Sequence, residues 1–155
     1  MLCRQVGRAV TVEARAALEA AGFGDVRPAH TAVLAQLTQA DRRSSDMAEV
    51  MGMTKQAVGL LVDHLESGGY VRRVADPEDG RAKRVALTAR GRRAAAVAFH
   101  VSSAFERRSR GLLGAPRHAD IKAALESVLS SAAPPRPQHV HNNRKGDVGV
   151  GEPAS

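Results

Sequence analysis

The amino-acid sequence predicts a mainly α-helical chain with one small β-wing, and three observations carry that expectation. Apolar residues recur at helical spacing through most of the first 132 positions. Two short helical stretches are joined by the glycine-containing turn Gly52-Met53-Thr54, the layout of a helix-turn-helix. The period then switches. Val71–Val74 and Arg84–Leu87 are β-type runs, and Asp76-Pro77-Glu78-Asp79-Gly80 between them is dense in turn residues. Helix-turn-helix, hairpin and flanking amphipathic helices together predict a winged helix-turn-helix domain.

Each element has its own signal. Over residues 2–21, Leu2, Val6, Ala9, Val10, Ala17 and Leu18 share one helical stripe, and Gly22 and Gly24 end it. Pro28 suits the first turn of a second helix carrying Val33, Leu34 and Leu37. The polar stretch Gln39–Arg43 interrupts, and a third helix from about Ser45 to Met51 buries Met47, Ala48 and Met51. Thr54 can cap a fourth helix, whose Val58, Leu61, Val62 and Leu65 fall at i, i+3, i+4 and i+7. Gly68-Gly69 closes it. In the second wing strand, Val85 and Leu87 are expected to face one way, Arg84 and Ala86 the other. Thr88 caps a long fifth helix with Ala94, Val97, Ala98, Val101 and Phe105 on one face, interrupted at Gly111 and again at Gly114-Ala115-Pro116. A sixth helix carries Ile121, Leu125, Val128, Leu129 and Ala132. Residues 133–155 are proline- and glycine-rich without periodicity and are read as a disordered tail. Residues 1–132 then form the domain, with the winged helix-turn-helix at about 28–90. Helices at about 2–21 and 89–132 flank it, and their apolar faces have no sheet to cover them.

Composition narrows the function. The 155 residues suit one domain, and a single Cys excludes an intramolecular disulfide framework or a multi-Cys zinc site. No apolar run is long enough to cross a membrane, and Arg4 and Gln5 stand where a signal peptide needs apolar sequence, which predicts a cytoplasmic protein. No P-loop, zincin or nucleophile-elbow motif occurs, so no enzyme, metal or cofactor is expected. The net charge is +7, and position refines it: residues 72–93 hold eight basic and three acidic side chains, a local +5. That density favours a polyanion. With one Tyr, three Phe and no Trp, single-strand binding on stacked rings is disfavoured.

The wing sequence Asp76-Pro77-Glu78-Asp79-Gly80-Arg81-Ala82-Lys83-Arg84-Val85-Ala86-Leu87-Thr88, with Gly91 after it, resembles the wing signature of the MarR family of bacterial regulators. Met47-Ala48-Glu49, Gly52-Met53-Thr54-Lys55-Gln56 and Leu61-Val62-Asp63-His64-Leu65-Glu66 are similar to that family's recognition region. The close match spans about residues 46–93. The resemblance implies a sequence-specific, double-stranded DNA-binding transcriptional regulator that acts as a homodimer on a pseudo-palindromic operator. It also implies a repressor that responds to a small-molecule effector bound between the flanking helices and the winged domain. Few aromatics in the chain suggest an effector pocket of Leu, Val, Met and Ala.

Site residues follow from the resemblance and from the chemistry of the grooves. Lys55 and Gln56 lie in the first turn of the recognition helix, where side chains reach base edges. Gln can pair with adenine, and Lys with guanine acceptors or phosphate. Thr54 caps that helix, touches phosphate, or does both. Gly59 and Leu60 stand where the family often has a small polar residue followed by Arg; Leu60 either meets a thymine methyl or packs within the domain. Arg81 matches the position that enters the minor groove, where narrow A·T tracts concentrate negative potential, and Asp79 matches the partner that holds it. A plain surface ion pair is the competing reading of these two. Arg72, Arg73, Lys83 and Arg84 are read as phosphate contacts. Arg90, Arg92 and Arg93 oppose the dipole of their helix, so they serve phosphate or merely a solvated face. Cys3 is read as an inert N-terminal thiol, against the redox sensor that the resemblance to the family's peroxide-sensing branch would imply. The rival class is an architectural or RNA-binding protein that uses the same basic surface without sequence preference.

Overall fold

A computed structural model of the chain describes residues 2–132. The tail read as disordered, 133–155, and the Cys3 side chain lie outside the described residues. Eight elements follow in order: α1 (Leu2–Ala20), α2 (Pro28–Gln36), α3 (Ser44–Met51), α4 (Lys55–Ser67), β1 (Val71–Ala75), β2 (Lys83–Leu87), α5 (Ala89–Leu113) and α6 (Ala115–Ala132). Residues up to Ala115 pack as one unit, and α6 belongs to a second. None of the described helices is long and apolar enough to cross a membrane.

Local chemistry sets the boundaries. Pro28 opens α2, and the buried His30 accepts the Arg27 N–H on Nδ1 at 3.0 Å, taking up a donor at the helix start. Gly52, at φ +62°, ends α3 in the left-handed conformation that leads into the turn. The Thr54 hydroxyl then accepts the Ala57 N–H at 3.1 Å, capping α4. Thr88 caps α5 in the same way through the Gly91 N–H. Replacing Thr54 with Ala should cost about 1 kcal/mol, read as a lower urea midpoint; an unchanged midpoint would show that the cap holds nothing.

The core of the first unit forms where α2, α3 and α4 meet the wing base and α5. Val33, Leu34, Met47, Val58, Val62 and Leu65 are fully enclosed there, with Leu61 packed against them partly buried. Tyr70, between α4 and β1, is also enclosed. Its hydroxyl donates to Asp25 at 2.6 Å, and its ring meets Phe23 edge-on at 6.1 Å.

The wing is antiparallel, with Val71 opposite Leu87 and Arg73 opposite Val85. Arg42 adds a bridge to the far side of β2: Val85 N–H donates to Arg42 O at 2.8 Å, and Arg42 N–H to Val85 O at 3.2 Å. The pairing is regular, and Val85, Ala86 and Leu87 are all buried, so the face of β2 that carries Ala86 is covered at that position as well.

One helix break differs from expectation. α5 runs straight through Gly111 and ends at Gly114, φ +76°. A single helical glycine costs about 1 kcal/mol, which is too little to stop an established helix. Gly114 ends it: its positive φ leaves the helical region, and Ala115-Pro116 after it starts the next helix.

Candidate nucleic-acid interface

α4 divides into two faces. Val58, Val62 and Leu65 are buried, while Lys55, Gln56, Leu60 and Asp63 are exposed on the side away from the core. The expected base-reading pair, Lys55 and Gln56, therefore points outward from the first turn. Leu60 is 65% exposed, which removes packing within the domain as its role. Gly59 has open space where a Cβ would stand.

The wing is tied to α4 by ion pairs. Arg73 donates from its backbone to Glu66 Oε1 at 3.0 Å, and its guanidinium binds Glu66 and also Asp63 at 2.6 Å. These carboxylates hold the Arg73 guanidinium above its ordinary pKa, Asp63 most strongly. Arg73, expected on phosphate, has its charge engaged by α4, and its geometric effect is to fix β1 against the recognition helix.

A second centre sits under the wing loop. The Asp76 side chain has no solvent exposure. Its Oδ2 accepts from Arg43 Nε at 2.5 Å, and Arg84 Nε lies 3.0 Å from the same oxygen as an ion-pair contact without hydrogen-bond alignment. Its Oδ1 accepts the Glu78 N–H at 3.0 Å. The guanidiniums of Arg84 and Arg43 hold the Asp76 carboxyl far below the usual carboxylate range. Arg84 also pairs with Glu78 at 2.9 Å, so this expected phosphate contact is spent largely on the protein.

The tip is arranged differently. Asp79, expected to hold the Arg81 side chain, instead accepts the Arg81 backbone N–H on Oδ1 at 3.1 Å and so shapes the turn. Among the described residues, no ion pair engages Arg81, Arg72, Lys83 or Lys55, and all four are exposed. Free cations thus stand at the tip (Arg81), at the tip end of β2 (Lys83) and near the base of β1 (Arg72), while the paired Arg73 and Arg84 lie on the rungs between.

Sequence reasoning missed Asp76 and Arg43 as a unit. Arg-Arg before α3 and Asp-Pro opening the wing loop were visible, but their meeting across 33 positions was not. The arginines at the start of α5 resolve into separate roles. Arg90 lies 4.7 Å over the Tyr70 ring and donates to its hydroxyl at 3.0 Å, so it packs on the core rather than on a bare solvated face. Arg92 donates to Leu87 O at 3.0 Å. It also lines a cavity of about 520 Å³ with Leu37, Leu87, Ala95, Ala96 and Phe99. Among the described residues, no group of three or more His, Cys, Asp or Glu could hold a metal ion.

Comparison with known proteins agrees with this architecture. The sequence model of the MarR family matches residues 25–82. The HTH-type transcriptional repressor Rv2887 of Mycobacterium tuberculosis is 36% identical over 87 residues, which are 56% of this chain and 63% of the relative, so the match spans under two thirds of that relative's length. The solved structure of the M. tuberculosis MarR family protein Rv2887 in complex with salicylic acid is 32% identical, with a TM-score of 0.58, covering 82% of this chain and 93% of that one. CouR from Rhodococcus jostii, bound to p-coumaroyl-CoA, is 29% identical with a TM-score of 0.68, over 86% of this chain and 90% of that one. With a wing, a helix-turn-helix and flanking helices that align over nearly the full length of both solved relatives, the chain belongs to the MarR family.

Proposed function

We propose that the protein is a sequence-specific, double-stranded DNA-binding transcriptional regulator, acting as a homodimer on a pseudo-palindromic operator. The observation that carries this reading is the division of wing cations. Arg73 is paired with carboxylates of α4 and Arg84 with carboxylates of the wing loop, while Arg81, Arg72 and Lys83 have no ion-pair partner among the described residues and Lys55 and Gln56 face outward from α4. Such an arrangement suits α4 in the major groove and Arg81 in the minor groove, with Arg72 and Lys83 on phosphates. Thr54 and Gly59 bring the start of α4 close to the backbone, and Asp79 sets the turn that presents Arg81.

A dimer is supported by apolar residues that a single chain leaves exposed: Ile121, Leu125, Val128 and Leu129 on α6, and Val6 and Val12 on α1. Two recognition helices would then stand about 34–36 Å apart along the operator. Repression follows the naming of the curated relative as a repressor. A small-molecule effector is also part of the reading. Solved relatives hold salicylic acid and p-coumaroyl-CoA, and the cavity beside Arg92 and Phe99 is of a size for a ligand.

The test is a mobility-shift titration on a site footprinted in the protein's own upstream region. Arg81→Ala should weaken binding by roughly ten- to a hundredfold with the fold unchanged. Equal affinity of wild type and variant would remove the minor-groove role. A wild-type protein that bound random duplex, or RNA, as tightly as the footprinted site would point to the architectural or RNA-binding alternative.

A further inference from the structure

The outward face of α4 contains one residue that neither phosphate binding nor polar base pairing uses. At 100° per residue, Val58, Leu61, Val62 and Leu65 centre on one side of the helix, and Gln56, Leu60 and Asp63 lie opposite. Leu60 is thus one turn, about 6 Å, beyond Gln56 on the same face, and it is 65% exposed. Its neighbours leave it uncovered. Gly59 has no side chain and open space beside it, and Asp63 is turned to Arg73.

A leucine there can form no salt bridge and donate no hydrogen bond. Its only contribution is apolar area removed from water, so it needs an apolar partner on the surface it meets. On the base edges of the major groove that partner is the C5-methyl of thymine. Phosphates, by contrast, would leave Leu60 against charge with no gain.

We infer that Leu60 reads a thymine methyl in the major groove, one or two base pairs from the base that Gln56 contacts. This deepens the DNA-binding reading and rests on α4 being the recognition helix. It makes one column of each half-site depend on a methyl group rather than on hydrogen bonding. The open backbone at Gly59 lets the helix approach closely enough for the contact.

The experiment selects sites from a random duplex pool with the full chain and with Leu60→Ala. Binding is then measured on the selected operator with each thymine replaced in turn by deoxyuridine, which lacks only the methyl. Wild type should show one thymine column per half-site where uracil weakens binding about threefold to tenfold. Leu60→Ala should lose both the preference and the uracil penalty there while keeping the rest of the operator. Uracil tolerated at every column, or a penalty that persists in Leu60→Ala, overturns the inference and leaves the regulator reading intact. Failure of the wild type to select any site overturns both.

Discussion

Replacing Gly91 with alanine should destabilise the fold by about 3 kcal/mol, the upper range for forcing extra volume into a packed interior. Gly91 lies in the first turn of α5, buried against the wing base. A Cβ built there would sit 2.0 Å from the Tyr70 carbonyl oxygen and 3.1 Å from Leu87 Cδ2. The obstruction is main chain, and it cannot swing aside as a side-chain tip can. The same carbonyl accepts the Thr88 N–H at 3.0 Å and the Thr88 hydroxyl at 3.0 Å, so moving it would also disturb the α5 cap. Gly111, in the same helix, meets nothing within 4 Å. Gly111→Ala should therefore stabilise by about 0.4–1 kcal/mol through helix propensity and a less flexible unfolded chain. Urea titrations of both variants make the comparison. Equal midpoints for Gly91→Ala and wild type would mean that α5 does not pack on Tyr70 as described.

Asp76→Asn should loosen the wing and lower operator affinity by about tenfold, although Asp76 itself faces no solvent. The sign makes this informative. Removing a carboxylate raises the net charge, and long-range attraction alone would then tighten binding to DNA. Weaker binding is expected because Arg43 and Arg84 lose the anchor that joins α3, β2 and the wing loop. Affinity that rises or stays level in a mobility-shift titration would refute the anchoring role. Stability should show a matching pH dependence. The folded carboxyl is held well below its unfolded value of about 3.9, so its contribution is fully present above that pH. As pH falls below about 3.9 toward the depressed folded value, that contribution is lost. The stability gap between wild type and Asp76→Asn should accordingly be widest near neutrality and close in acid.

Much of this molecule was legible in one dimension because its signals are local. Three- and four-residue spacing within α4 separated Val58, Val62 and Leu65 from Lys55 and Gln56, and burial agrees. Thr54 and Thr88 were recognisable caps because a cap involves residues only three apart. Asp79-Gly80 marked the wing tip through its turn preference. The bridge from Arg42 to Val85 had no such marker, because its partners are 43 positions apart.

The candidate interface shows the same limit more sharply. Its basic character, its order along the chain and its likeness to MarR regulators were determined by the sequence alone, because composition and motif spacing are properties of the chain. Which arginines remain free was decided only by tertiary structure. Arg72 and Arg73 are adjacent and identical in chemistry, yet strand alternation sends Arg73 to Glu66 and Asp63 while Arg72 stays exposed. Arg81 and Arg84 are three apart, and only Arg84 reaches the buried Asp76. Ion pairing depends on distances of a few ångströms between segments remote in sequence, and only the packed fold sets those distances.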